Sequence, residues 1–186
     1  MSKSFPNIFY HSISQARLKE AVTRDQLTGY SKLHHDSTGN LRGIWMSDEL
    51  GLILDAHYGL EKSDEIIGTL PFPSGKILEV KKPIHPIILQ IEGLDEDNIL
   101  PHITDPHQFF YKGNLDWNKV RKLLIRDKNP ELETVAQELI QQLKANMGVD
   151  VEIQLFDPSK VPTREIAREI NENALPDFID REDFRR

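Results

Sequence analysis

The chain contains no cysteine, which excludes disulfides, thiolate nucleophiles and Cys-ligated zinc. It also lacks any apolar run long enough to cross a bilayer. Met1-Ser2-Lys3-Ser4 leads into no signal-peptide core, so the cytoplasm is the expected location. No internal repeat, low-complexity linker or basic run divides the sequence. The net charge of −7 opposes non-specific attraction to phosphate backbones, although it leaves room for a local basic groove. No metal site is expected. His34-His35-Asp36 is a set of neighbours without further ligands at regular spacing, since His57, His85, His102 and His107 are scattered. Asp95-Glu96-Asp97-Asn98 lacks the glycine and distal glutamate of a calcium loop and reads as a solvated turn.

What is present suits one domain over 1–186, with a charged, frayed tail at 176–186. Residues 7–13 read as a strand, followed by a helix over 15–22 with Ser14 as its N-cap. Tyr30 to Asn40 reads as an exposed loop. Arg42 to Ser47 reads as a strand that hands over to a helix at Asp48-Glu49, with Leu50, Ile53, Leu54 and Tyr58 at helical spacing. Pro71, Pro73, Pro83 and Pro86 punctuate the middle of the chain. Ile87-Ile88-Leu89-Gln90-Ile91 and Phe109-Phe110-Tyr111 read as strands, and 114–120 as a short helical or looped stretch. The strongest helical signal is 131–146, where Leu132, Val135, Leu139, Ile140 and Leu143 form a stripe that Gly148 ends. A last short helix is expected over 163–170. Elements mixed in this way, without strict βαβ alternation, predict an α+β fold, largely antiparallel and two-sheeted.

Two separated segments place polar residues where a cleft has use for them. Phe9-Tyr10-His11 closes the first strand, and Val149 to Phe156 forms the last. There Val149, Val151, Ile153 and Leu155 alternate onto one face, leaving Asp150, Glu152 and Gln154 on the other. A carboxylate in mid-strand needs a reason. If Glu152 faces His11 from a neighbouring strand, the two form a site for a positively charged reaction centre.

Three pieces resemble the ADP-ribosyltransferase superfamily. They are Phe9-Tyr10-His11-Ser12 before a helix, Gly43-Ile44-Trp45-Met46-Ser47-Asp48 before a helix that reaches Tyr58, and Val151-Glu152-Ile153-Gln154-Leu155 with Val161-Pro162 and Ile166 downstream. The last piece, with Leu115-Asp116-Trp117 before it, is most similar to the DarT-like toxins that modify DNA bases. The resemblance covers the two ends and a central block. It implies a split, mixed β-sandwich holding NAD, here a substrate, with no metal. It also implies transfer of ADP-ribose to a macromolecule, nucleic acid being slightly favoured over protein, by a toxin or effector with a cognate antitoxin as partner.

Cleavage of the nicotinamide bond passes through an oxocarbenium-like state that a carboxylate stabilises. The resemblance gives that role to Glu152, with His11 and Tyr58 beside it as catalytic residues. Tyr10, His11, Ser12 and Ser47 would hold the dinucleotide, Trp45 and Tyr58 would stack on the nicotinamide, and Arg42 would pair with the pyrophosphate. Gln154 would meet the acceptor. Structural readings stand beside these: Glu152 as an exposed residue paired with lysine, Tyr58 as core, Ser47 as a helix cap, Arg42 as solvated. Two other functions stay open. One is an RNA 2′-phosphotransferase on the same fold, of which His34-His35 is an echo. The other is a non-catalytic binding module with a degenerate version of that fold.

Overall fold

The computed structural model describes residues 5–29, 31–35, 39–55, 61–71, 75, 77–84, 87–157 and 160–161. They form an α+β fold. Strands β1 (Ile8–Ile13), β2 (Ser31–His35), β3 (Gly39–Ser47), β6 (Ile87–Glu92), β7 (Ile99–Pro101), β8 (Gln108–Lys112), β9 (Val120–Arg126) and β10 (Glu152–Phe156) build one mixed sheet. Its order is β10-β9-β6-β1-β3-β8-β7, with β2 paired to β3. The β9–β10 pair is parallel and the others are antiparallel. Strands β4 (Glu61–Pro71) and β5 (Ile77–Ile84) form a separate two-stranded hairpin.

One face of the large sheet carries the core. Phe9, Ile13, Leu89, Ile91, Leu123 and Ile125 project from it against two helices, α1 (Gln15–Thr23) and α3 (Pro130–Met147). Helix α1 begins as expected, Ser14 Oγ accepting from the Arg17 N–H at 3.3 Å. Helix α3 starts at Asn129, whose Oδ1 accepts from Leu132 N at 3.1 Å, with Pro130 in its first turn. It ends at Gly148, whose φ of 65° is the left-handed value that a glycine C-cap supplies. Of the predicted stripe, Leu132, Leu139 and Leu143 are buried, joined by Ala136. Val135 and Ile140 pack at its margin.

The opposite face is less apolar. By register, Ile88, Leu124 and Phe110 are buried there, outside the main core cluster. Helix α2 (Leu50–Asp55) packs on β1 and β3 with Leu52 buried.

Several sequence expectations are corrected. The predicted loop from Tyr30 to Asn40 holds a hairpin, with Ser31–His35 pairing Gly43 through Gly39. A ribbon at the side of a sheet needs no buried face, so polar residues do not exclude it. The short helical or looped stretch expected over 114–120 contains the 3₁₀ turn Trp117–Lys119, and strand β9, which follows it, was not predicted. The late strand is shorter than the predicted 149–156, and Leu155 is exposed because β10 is an edge strand. The predicted helix at 163–170, the tail and Tyr58 lie outside the described residues.

Candidate functional site

Strands β1 and β3 are neighbours that share a single register pair, Tyr10 with Ser47. On its other side β1 pairs with β6 over six residues, from Ile8 to Ile13. The sheet is therefore two well-knit halves joined at a narrow seam. Just past that pair, where further backbone pairing would fall, a side chain takes over. His11 Nδ1 lies 2.7 Å from the Trp45 carbonyl oxygen. A carbonyl only accepts, so Nδ1 carries the proton and donates. Burial pushes the imidazole pKa down to about 4, against a raising effect of the Trp45 carbonyl and a further lowering by Arg17. His11 is a neutral ring that closes the seam.

Cross-strand pairing decides which side chains share a face. Tyr10 pairs with Ser47 on one side and Gln90 on the other, Ser47 with Gln108, Gln90 with Lys122, and Lys122 with Glu152. A polar row thus crosses six strands, in the order Gln108, Ser47, Tyr10, Gln90, Lys122, Glu152. Two residues along their strands, Ser12, Trp45, Glu92 and Gln154 stand on the same face. Ser12, Ser47 and Gln90 are buried, so much of this row is not ordinary solvated surface.

Details fit the row together. Gln90 Nε2 donates to Glu92 Oε1 at 2.8 Å, and Lys122 Nζ donates to Gln154 Oε1 at 3.0 Å. Burial, then the Glu92 charge, raises the Tyr10 pKa, so the phenol keeps its proton. Ser47 Oγ accepts from Glu49 N at 3.0 Å, the capping role set beside its ribose-binding one. Trp45 lies edge-on to Phe110 and to the His102 ring, at 5.0 and 5.5 Å between centroids. At the β3–α2 corner, His107 Nδ1 stands 2.9 Å from Asp48 Oδ1 and 3.1 Å from Glu49 Oε1.

Of the residues nominated from sequence, Tyr10, Ser12, Trp45 and Ser47 come together at the seam. Glu152 and Gln154 share their face but stand three strands away, about 14 Å at ordinary strand spacing. Glu152 is 66% exposed and pairs with Lys122 at 3.6 Å. The expected Glu152–His11 pair is not formed. His11 projects with Phe9 and Ile13 toward the core face, and Glu152 toward the other. Alternation sets facing within a strand, but only register relates one strand to the next. Arg42 is exposed in mid-β3, five residues from Ser47, and alternation puts it on the opposite face from Ser47.

Gln90, Glu92, Lys122 and Gln108 were missed. One signal was available: Gln90 is the sole polar residue in an otherwise apolar run. Among the described residues no group of three or more His, Asp or Glu is arranged to hold a metal. No described helix is long and apolar enough to cross a membrane. Comparison of the chain with family models, with curated proteins and with solved structures finds no match.

Proposed function

We infer that this chain is an NAD-using mono-ADP-ribosyltransferase whose dinucleotide lies along the β1–β3 seam, not between His11 and Glu152. In this reaction the C1′–nitrogen bond to nicotinamide breaks, with the bonding pair leaving on the neutral ring. C1′ then bonds to the acceptor, which gives up a proton. The carrying observation is that Tyr10, Ser12, Trp45 and Ser47 share one face at the place where the sheet is joined by a single pair. Trp45 offers a ring for the nicotinamide, and the hydroxyl of the partly exposed Tyr10 is of the kind that holds a ribose, with the buried Ser12 and Ser47 forming the floor of the seam. Glu152, Lys122 and Gln154 then belong with the macromolecular acceptor, nucleic acid in preference to protein, some 14 Å along the face.

The test is release of nicotinamide and transfer of label from NAD into whole-cell extract. Wild type releases nicotinamide. Trp45→Ala loses release, and Glu152→Gln keeps it while transfer to the nucleic acid fraction falls. Full loss of release in Glu152→Gln, with none in Trp45→Ala, would overturn the placement. If neither release nor labelling occurs in wild type, the enzyme reading falls.

A second reading is favoured by one observation. The carboxylate nominated for chemistry is exposed, bound to Lys122 and distant from the seam. A face with the same contacts and no carboxylate at the reacting carbon is a non-catalytic binding module. It would show nucleotide binding without nicotinamide release.

A further inference from the structure

Gln90 sits in the apolar run of β6 and is 9% exposed. A buried amide is tolerated where its hydrogen bonds are met. One is met, Nε2 donating to Glu92 Oε1 at 2.8 Å. That bond fixes which way the amide points. Its Oε1 is therefore turned from Glu92, and it has no donor among the described residues. Directly across, on β1, stands Tyr10. Its hydroxyl is a proton-bearing donor, also with no hydrogen-bond partner among the described residues. Glu92, two residues beyond Gln90 on the same face, keeps Oε2 as a further acceptor.

The three groups are close enough to meet one ligand. Tyr10 and Gln90 are direct cross-strand neighbours, and Glu92 is diagonal to Tyr10, so their side chains converge within about 8 Å. What they leave unmet is two acceptors and one donor. The Glu92 charge repels a phosphate or carboxylate, and a purely apolar group would leave Gln90 Oε1 unsatisfied. Nearby Lys122 does not reverse that charge preference, because Gln154 and Glu152 already engage its ammonium. Adjacent hydroxyls supply two donors, and either oxygen can accept from a phenol.

We propose that Tyr10, Gln90 and Glu92 form a subsite for the cis-diol of a ribose. Glu92 and Gln90 Oε1 accept from the two hydroxyls, and Tyr10 donates to one of them. The subsite rests on the reading above only in expecting that the ribose belongs to a nucleotide.

The experiment measures binding of adenosine 5′-monophosphate and of its 2′,3′-dideoxy counterpart to the whole chain by calorimetry. Wild type should prefer the diol nucleotide by about tenfold or more, the effect of hydrogen bonds to a charged acceptor. Gln90→Leu, of similar volume, should bring the two nucleotides within about twofold. It should also hold or raise the Tm of the free protein, since it removes a buried amide whose bonds are incomplete. Tyr10→Phe is the second variant, and should lower the preference without unfolding the chain. Equal binding of the two nucleotides by wild type, binding of neither, or an unchanged preference in both variants overturns the subsite. Nicotinamide release from NAD separates the claims. Release without diol preference sinks the subsite alone, and diol preference without release sinks the transferase alone.

Discussion

The Nδ1–H of His11 donates to the Trp45 carbonyl over 2.7 Å, a side chain standing in for the backbone ladder where β1 and β3 part. Only the neutral ring suits its partly buried place, and its pKa is pushed down to about 4 from an ordinary 6.5. Linkage gives the sign. The unfolded chain takes up the proton near pH 6.5 and the folded chain only near 4, so stability falls as pH drops through that window. The full loss is about 3 kcal/mol below pH 4 and absent above about 7. His11→Gln keeps a donor but has no proton to gain. Its denaturant midpoint should therefore be flatter than that of wild type between pH 6.5 and 4, and parallel curves would refute the assignment.

Gly43 is packed as closely as a strand residue can be. A Cβ there would run into the Tyr111 carbonyl and the Phe110 ring, while one on Gly29 would strike the Gly43 backbone. The nearest obstacle to Gly43 is a backbone oxygen, which cannot turn aside as a side-chain tip does, and the Phe110 ring beside it is itself buried. Gly43→Ala should therefore cost about 3 kcal/mol or more, read from urea unfolding. Gly68→Ala, with open space around it, is the control and should stay within about 1 kcal/mol.

Elements with a local signature are legible in the sequence, and pairings are not. Helix α3 carries its cap, its stripe and its terminal glycine within twenty residues, and β6 is a continuous apolar run. Strand β9 mixes Arg121 and Lys122 into Val120 to Arg126, and its inward residues show only once β6 lies alongside. Glu152 was correctly placed on a strand with Gln154 on its own face, yet the partner proposed for it was wrong. His11 and Glu152 lie on strands with β6 and β9 between them, and register turns them to opposite faces. The same register assembles Tyr10, Gln90 and Lys122 into one row, which no single segment displays.

Glu152, which the proposed reading places with the acceptor, should not bear on stability. Its carboxylate is two-thirds exposed, and its contact with Lys122 is 3.6 Å long. Water screens such a pair, whose contribution is typically below about 1 kcal/mol. Glu152→Gln should leave the urea midpoint of wild type unchanged within error. A clear loss of stability would mean that the row depends on this charge and that its outer end is structural.

The chain has two tryptophans, and they occupy contrasting places. Trp117 is 2% exposed, with Nε1 donating to the Ala21 carbonyl at 3.3 Å beneath α1. Trp45 is partly exposed beside the seam, against His102 and Phe110. Trp117→Phe removes one donor while Ala21 O keeps the Gln26 N–H at 3.2 Å, so the lost hydrogen bond should cost about 1 kcal/mol, and the variant isolates Trp45 as the single indole. Nicotinamide stacked on that ring should quench its emission as NAD is added. Adenosine monophosphate, which has no nicotinamide, should quench far less even where it binds. The reciprocal variant, Trp45→Phe, leaves only the buried indole, which should be blind to NAD. Quenching that survives in Trp45→Phe and vanishes in Trp117→Phe would move the dinucleotide away from the β1–β3 seam, and with it the proposed chemistry.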